Sequence, residues 1–273
     1  MTLLNHALRA GRSSPGASAA APTVLVAGGG GTLGSAVLEA LLGGRRFAHV
    51  KVLATRGLTT AMRGLEPVIV DGLDGLDGTA AEAHGAALAG IADIAVLVFD
   101  RERHANGREL AFVRPQPHDL PMLARWLYVR GTRRLIVVLP HAPATLPAAL
   151  RHGLANLDEQ AVAALGFEHL VFVRSAQKQA GTRATRWPER LADGVLAQLG
   201  MMVAAPQQPV RAVKVARFVV ELVVALPSSG AGTRVAPPEL VWQAAQMQDP
   251  RALVEAWLAH RALPEVTTPR RRM

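Results

Sequence analysis

Gly28, Gly31 and Gly34 recur every third residue in TVLVAGGGGTLGSAVL, residues 23–38, and form the pattern GxxGxxG. Three apolar residues, Val24, Leu25 and Val26, run into the tract as a short buried strand, and helical spacing resumes from Ser35. Strand, glycine loop and helix N-terminus in that order bind the phosphates of a dinucleotide. The first glycine permits a tight turn, the middle one lets backbone approach a pyrophosphate, and the last allows close packing of helix on strand. The positive end of the helix dipole faces the anion. Gly28, Gly31, Thr32, Leu33 and Gly34 are therefore the expected cofactor-binding residues of the loop.

The end of the second strand bears on which dinucleotide. A site for NAD usually carries Asp or Glu there, about 20 residues beyond the glycines, to bind the ribose hydroxyls, whereas arginine suits the 2′-phosphate of NADP. Here the segment reads Ala54-Thr55-Arg56, with Arg63 following and no acid before Glu66. A carboxylate repels the extra phosphate and a guanidinium chelates it. Arg56 is the expected ligand, and NADP(H) is the expected cofactor ahead of NAD(H).

Groups for proton transfer are few. The chain has one tyrosine, Tyr128, and no cysteine, which excludes disulfides, thiolate metal sites and a cysteine nucleophile. His141 and His152 are weak candidates for acid–base work near neutral pH, set against their being half-exposed surface histidines. Asp100, Arg101, Glu102, Arg103 and His104 form a charged loop that either covers the cofactor edge or is simply solvated. No histidine pair has zinc-ligand spacing such as HExxH, so no metal is expected.

The elements needed to position these groups are legible along the chain. Apolar segments at 50–54, 65–71, 94–99, 134–139 and 169–173 follow the first strand. They alternate with helical stretches at 80–88, 120–129 and 145–165, the last stopped by Gly166. Near-continuous apolar strands separated by helices indicate a parallel sheet covered on both faces. The expected fold class is α/β: a Rossmann-type doubly wound parallel sheet with a small C-terminal helical part. Helices are expected at 188–199, 213–226 and 249–260, and a last strand at 232–236.

With 273 residues, half of them hydrophobic, the chain can hold one large domain. The expected division is an N-terminal extension at 1–22, a nucleotide-binding domain at 23–245, and an appended helix with a basic tail at 246–273. Residues 1–22 hold arginine, serine and no acid, as a transit peptide would, but Ser13-Ser14-Pro15-Gly16 favours a disordered extension. The net charge of +9 raises the question of nucleic acid. The basic residues are almost all arginine and are spread along the chain, and aromatics make up 4%, which argues against such a partner. No apolar run approaches the roughly 20 residues of a membrane span. A cytoplasmic protein is expected.

The glycine spacing resembles that of extended and atypical short-chain dehydrogenase/reductases, the NmrA-like NAD(P)H-binding proteins in particular. LARWLYVRGTRRLIVVLP resembles the family's helix and fifth strand. HGLANLDEQAVAALGFEHLVFVRS resembles its next helix and sixth strand, with Glu159, Gly166 and Arg174 at motif positions and Ser175 in place of a proline. PVRAVKVARFVVELV resembles a later strand-to-helix segment, so that the likeness covers about residues 23–236. The resemblance implies that Asp71 lies near the adenine ring, although an Asp there can equally cap a turn. It also implies a serine after strand five and Tyr-x-x-x-Lys on the next helix. Those positions hold Leu139-Pro140-His141, Ala148 and His152, so all three groups are missing. The expectation is an NADP(H)-binding protein acting as a redox sensor or scaffold, with a protein partner. The alternative is an oxidoreductase or epimerase using other groups.

Overall fold

The computed structural model describes residues 21–58, 64–73, 76, 90–100, 111–140, 157–175 and 210–264. Seven strands make one sheet: β1 (Thr23–Ala27), β2 (His49–Ala54), β3 (Leu65–Ile69), β4 (Ile94–Val98), β5 (Arg134–Pro140), β6 (His169–Ser175) and β7 (Gly232–Ala236). Their order is β3-β2-β1-β4-β5-β6-β7, and every pairing is parallel. This is a Rossmann-type α/β fold. The sequence places each strand to within two residues of its observed ends.

Period-two alternation sorts the strand residues onto two faces. Val24, Val26, Val52, Ile94, Val96, Ile136, Val138, Val171 and Val173 face one way. They meet α1 (Thr32–Gly43) and α4 (Ala212–Ala225), two helices that also pack on each other. Leu25, Ala27, Ala95, Leu97, Leu135, Val137, Leu170 and Phe172 face the other way. There they meet α2 (Leu120–Val129) and Val162 of α3 (Leu157–Ala163). Because both faces are covered, the middle strands are apolar throughout. Each large side chain so buried contributes about 1.5–3 kcal/mol relative to exposure.

The C-terminal part adds α5 (Pro238–Gln246) and α6 (Arg251–Leu258). The sequence reading passed over α5, which is short and opens on Pro237-Pro238. Leu253, Val254 and Leu258 of α6 enter the same core as α1 and α4. Gly166, with φ +83, follows the end of α3 as its expected stop. The helices expected at 80–88 and 188–199, the extension at 1–20 and the first half of the helix expected at 145–165 lie outside the described residues.

β3 is an outermost strand and contains Pro67. Val50 N–H donates to Gly64 O at 3.3 Å and Val70 N–H to Ala54 O at 2.9 Å. By alternation, Gly64, Glu66, Val68 and Val70 bond to β2, while Leu65, Pro67 and Ile69 turn their backbone outward. The donor that proline lacks would have pointed to the open edge, so Pro67 removes no bond from the ladder.

Candidate functional site

All strands being parallel, their C-terminal ends share one edge of the sheet. Ala27 leads there into the glycine loop, and α1 begins at Thr32. Gly28 has φ +92, a region that disfavours any side chain, and a Cβ on it would lie 3.0 Å from the carbonyl carbon of Val98 in β4. A Cβ on Gly34 would stand 2.8 Å from the Gly28 carbonyl carbon and 2.9 Å from Gly29 Cα. These two contacts are against backbone and have no room to give. The last glycine thus packs the helix onto the strand turn, and the first lets that turn lie against β4.

The helix has no side-chain cap of its own, and its first turn carries no acid. The Ser35 hydroxyl donates back to Gly31 O at 2.7 Å, leaving the first turn's N–H groups to outside partners. One such partner comes from β4. Asp100, two residues beyond the strand, places Oδ2 2.5 Å from Leu33 N and accepts its N–H. The same carboxyl group lies over Gly31, where a Cβ would meet Asp100 Cγ at 2.6 Å and Asp100 Cβ at 2.7 Å. Asp100, the first residue of the charged loop, is therefore turned inward onto the glycine loop at this edge. Arg101 to His104 lie outside the described residues.

A second side chain at this edge escaped the sequence reading. Residues 111–113 run antiparallel over the end of β2: Thr55 N–H donates to Ala111 O at 2.7 Å and Val113 N–H to Leu53 O at 3.0 Å. The turn delivers Arg114, half-buried, to the glycine loop, with Nη2 3.4 Å from Gly30 O. The short apolar triplet Ala111-Phe112-Val113 was the local signal. Nothing in it announces that the chain returns to β2. Arg56 and Asp71 are both exposed and lie beyond the ends of β2 and β3, on the same edge. Gly28, Gly31, Thr32, Leu33, Gly34, Arg56 and Asp71 thus share one region, with Arg114 and Asp100 added.

The chemistry gathered at this corner is that of hydrogen-bond donors and positive charge. Backbone N–H groups and the positive end of α1 meet there, Arg114 reaches the loop at Gly30 O, Arg56 lies on the same sheet edge, and the close packing of Gly28 and Gly34 leaves backbone to line the corner. The Asp100 carboxylate holds the Leu33 N–H, one of the donors a diphosphate at this corner would need.

The opposite edge holds Tyr128. It is near the end of α2, packs edge-on against Phe167 at 5.3 Å between ring centroids, and carries the Arg133 guanidinium 4.4 Å above its ring. Arg133 lies one residue before β5 and Phe167 two residues before β6. The seven residues of β5 separate this point from the cofactor edge, roughly 20 Å at about 3.3 Å per residue. Tyr128 is thereby removed from any reacting group at the glycine loop. Leu139 and Pro140 stand half-buried at the end of β5, where the resembled family has serine. Ala148, His141 and His152 lie outside the described residues, as does Arg63.

At the end of β6, Arg174 Nη2 donates to Glu159 Oε2 of α3 at 3.0 Å, with both side chains buried. Next to it Ser175 is fully buried, and its hydroxyl has no hydrogen-bond partner among the described residues. Among the described residues no group of acids and histidines is placed to hold a metal ion. No helix among them is long and apolar enough to cross a membrane.

No family model and no curated protein matches the chain. Solved structures do. A Rossmann-fold NAD(P)-binding family protein from Shigella flexneri is 16% identical over 78% of this chain and 90% of its own, with a TM-score of 0.45. A UDP-N-acetylglucosamine 4-epimerase from Bacillus cereus is 14% identical over 83% and 85%, with a TM-score of 0.44. A mutated uronate dehydrogenase is 19% identical over 79% and 74%, with a TM-score of 0.46. The class is set by this chain's own strand order.

Proposed function

We infer that this chain binds a nicotinamide dinucleotide, NADP(H) in preference to NAD(H), and does so without the Ser/Tyr-x-x-x-Lys machinery of the short-chain dehydrogenase/reductases it resembles. The observation that carries this is the backbone-lined cradle of Gly28 and Gly34 at the start of α1, with Arg56 and Arg114 on the same sheet edge. Arg56, beyond β2, is the candidate for the 2′-phosphate, and Asp71 for the adenosine end. When bound, the dinucleotide supplies a hydride donor or acceptor; the chain's own residues bind and orient it.

The function best supported is a non-catalytic one, an NmrA-like redox sensor or scaffold that reads cofactor state and passes it to a protein partner in the cytoplasm. Tyr128 at the far edge and Leu139-Pro140 at the end of β5 favour it over the second reading. That alternative is an NAD(P)H-dependent oxidoreductase or epimerase in which His141 transfers the proton and His152 contacts the ribose. The test is a fluorescence or calorimetric titration of the purified chain with NADPH, NADH, NADP and NAD, followed by a search for turnover with carbonyl compounds and nucleotide sugars. Tight NADPH binding without turnover is expected. Turnover abolished by His141→Ala would replace the scaffold with the enzyme.

A further inference from the structure

In most glycine loops the N-terminal N–H groups of the helix wait for an anion from solution. Here the chain supplies one. Asp100 reaches α1 from the end of β4, 67 positions away in sequence, and its Oδ2 accepts the Leu33 N–H. Its carboxyl carbon and Cβ fill the space that Gly31 leaves by having no side chain, at 2.6 and 2.7 Å from where a Cβ would be. The open side of Gly31, by which backbone would approach a pyrophosphate, is thus occupied by a group carrying the same charge as that pyrophosphate. The helix has no other side-chain cap and no acid of its own in the first turn.

We propose that Asp100 is an internal anion that competes with the diphosphate of a dinucleotide for the start of α1, so that the affinity for the cofactor is set by how readily this carboxylate gives way. The proposal rests on the dinucleotide reading of the glycine loop. Two consequences follow from the geometry. One N–H cannot serve two acceptors fully, and a carboxylate left in contact range of a diphosphate repels it, so Asp100 must turn away before the cofactor seats. Also, the gain from removing Asp100 must belong to the phosphates alone, because the adenosine end is expected beyond β2 and β3, past a different pair of strands.

The experiment uses the full chain and its Asp100→Ala and Asp100→Asn variants, each shown by circular dichroism to be folded, titrated with NADPH, ADP and adenosine. Asparagine keeps the shape and removes the charge, so a fold lost in the alanine protein leaves the asparagine protein to decide. The expected result is at least tenfold tighter binding of NADPH and ADP by the variants, with adenosine unchanged. Equal or weaker NADPH binding by folded variants overturns the competition and leaves the dinucleotide site standing, with Asp100 a helix cap only. A gain shared by adenosine also overturns it, since the carboxylate would then be acting on the loop's shape and not on the phosphates. No binding of NADPH or ADP by any of the three proteins overturns both readings.

Discussion

Arg174 and Glu159 close a 3.0 Å ion pair in which the arginine side chain is 7% exposed and the glutamate 2%. It ties α3 to the end of β6, next to the cofactor edge. Two charges so far from water are held by their mutual attraction and hydrogen bonds, and removing one takes a close opposite charge from the other. Glu159→Ala should cost about 3–5 kcal/mol in chemical denaturation. The double replacement Glu159→Leu with Arg174→Met should recover most of that loss. Equal losses in the single and double variants would show that the pair is not the source.

Gly31→Val tests the phosphate site. In the described structure a side chain there first meets the Asp100 carboxyl group, and in a complex it would meet the pyrophosphate. NADPH binding should be abolished in the folded variant. Unchanged affinity, measured by titration, would remove the site.

Arg56 tests cofactor choice. A charge-assisted contact of an exposed arginine with a 2′-phosphate is worth roughly 1.5–3 kcal/mol, or ten- to a hundredfold in affinity. The chain should bind NADPH more tightly than NADH by about that ratio, and Arg56→Glu should erase or reverse the preference. Equal binding of both by the unaltered chain is the contrary outcome.

Tyr128→Phe should leave any NADPH-dependent turnover unchanged, because the phenol stands at the edge of the sheet away from the glycine loop. The Phe167 contact survives the change, so stability should move by no more than about 0.5 kcal/mol. A large, specific loss of turnover in a folded Tyr128→Phe protein would restore the enzyme reading with a different active-site edge.

His169 gives stability a pH dependence. It is fully buried at the start of β6, and burial, the largest influence, lowers its pKa from 6.5. Glu168 opposes that shift, and Arg134 and Arg234 add to it. A lowered folded-state pKa means the unfolded chain takes up a proton before the folded chain does. Stability is therefore whole above about pH 6.5 and declines as pH falls from there toward the folded-state value. Melting temperatures measured across this window should fall less steeply for His169→Gln than for the unaltered chain. Parallel profiles would assign the slope to other groups.

The alternation of apolar strands with helices made the sheet legible, since a strand buried on both faces must be apolar at every position. The glycine spacing made the cradle legible for a similar reason: a strand–loop–helix corner has few solutions. Arg114 was not legible as a site residue, and Asp100 was legible only as part of a charged loop, not as a partner of the glycine loop. Their roles depend on β4 lying beside β1 and on 111–113 folding back over β2, and both are facts of pairing between distant segments. The helix at 238–246 was lost because Pro237-Pro238 reads as a loop, although proline at the first turn of a helix breaks no bond. The Glu159–Arg174 pair was half visible, as two motif positions whose contact only the fold supplies.

Pro67 on β3 bears on how molecules of this chain meet one another. An exposed parallel edge is a template on which a second chain can add a strand, and self-association through such edges is a common route to aggregates. On β3 the outward row is Leu65, Pro67 and Ile69, and its middle member has no hydrogen to donate. An incoming strand finds a gap where it needs its second bond, and a pyrrolidine ring where it needs flat backbone. Ile69, 48% exposed, would otherwise make this edge an attractive one. Among the described residues the sheet thus ends in a strand whose outward row lacks its central donor, which disfavours edge-to-edge pairing on that side.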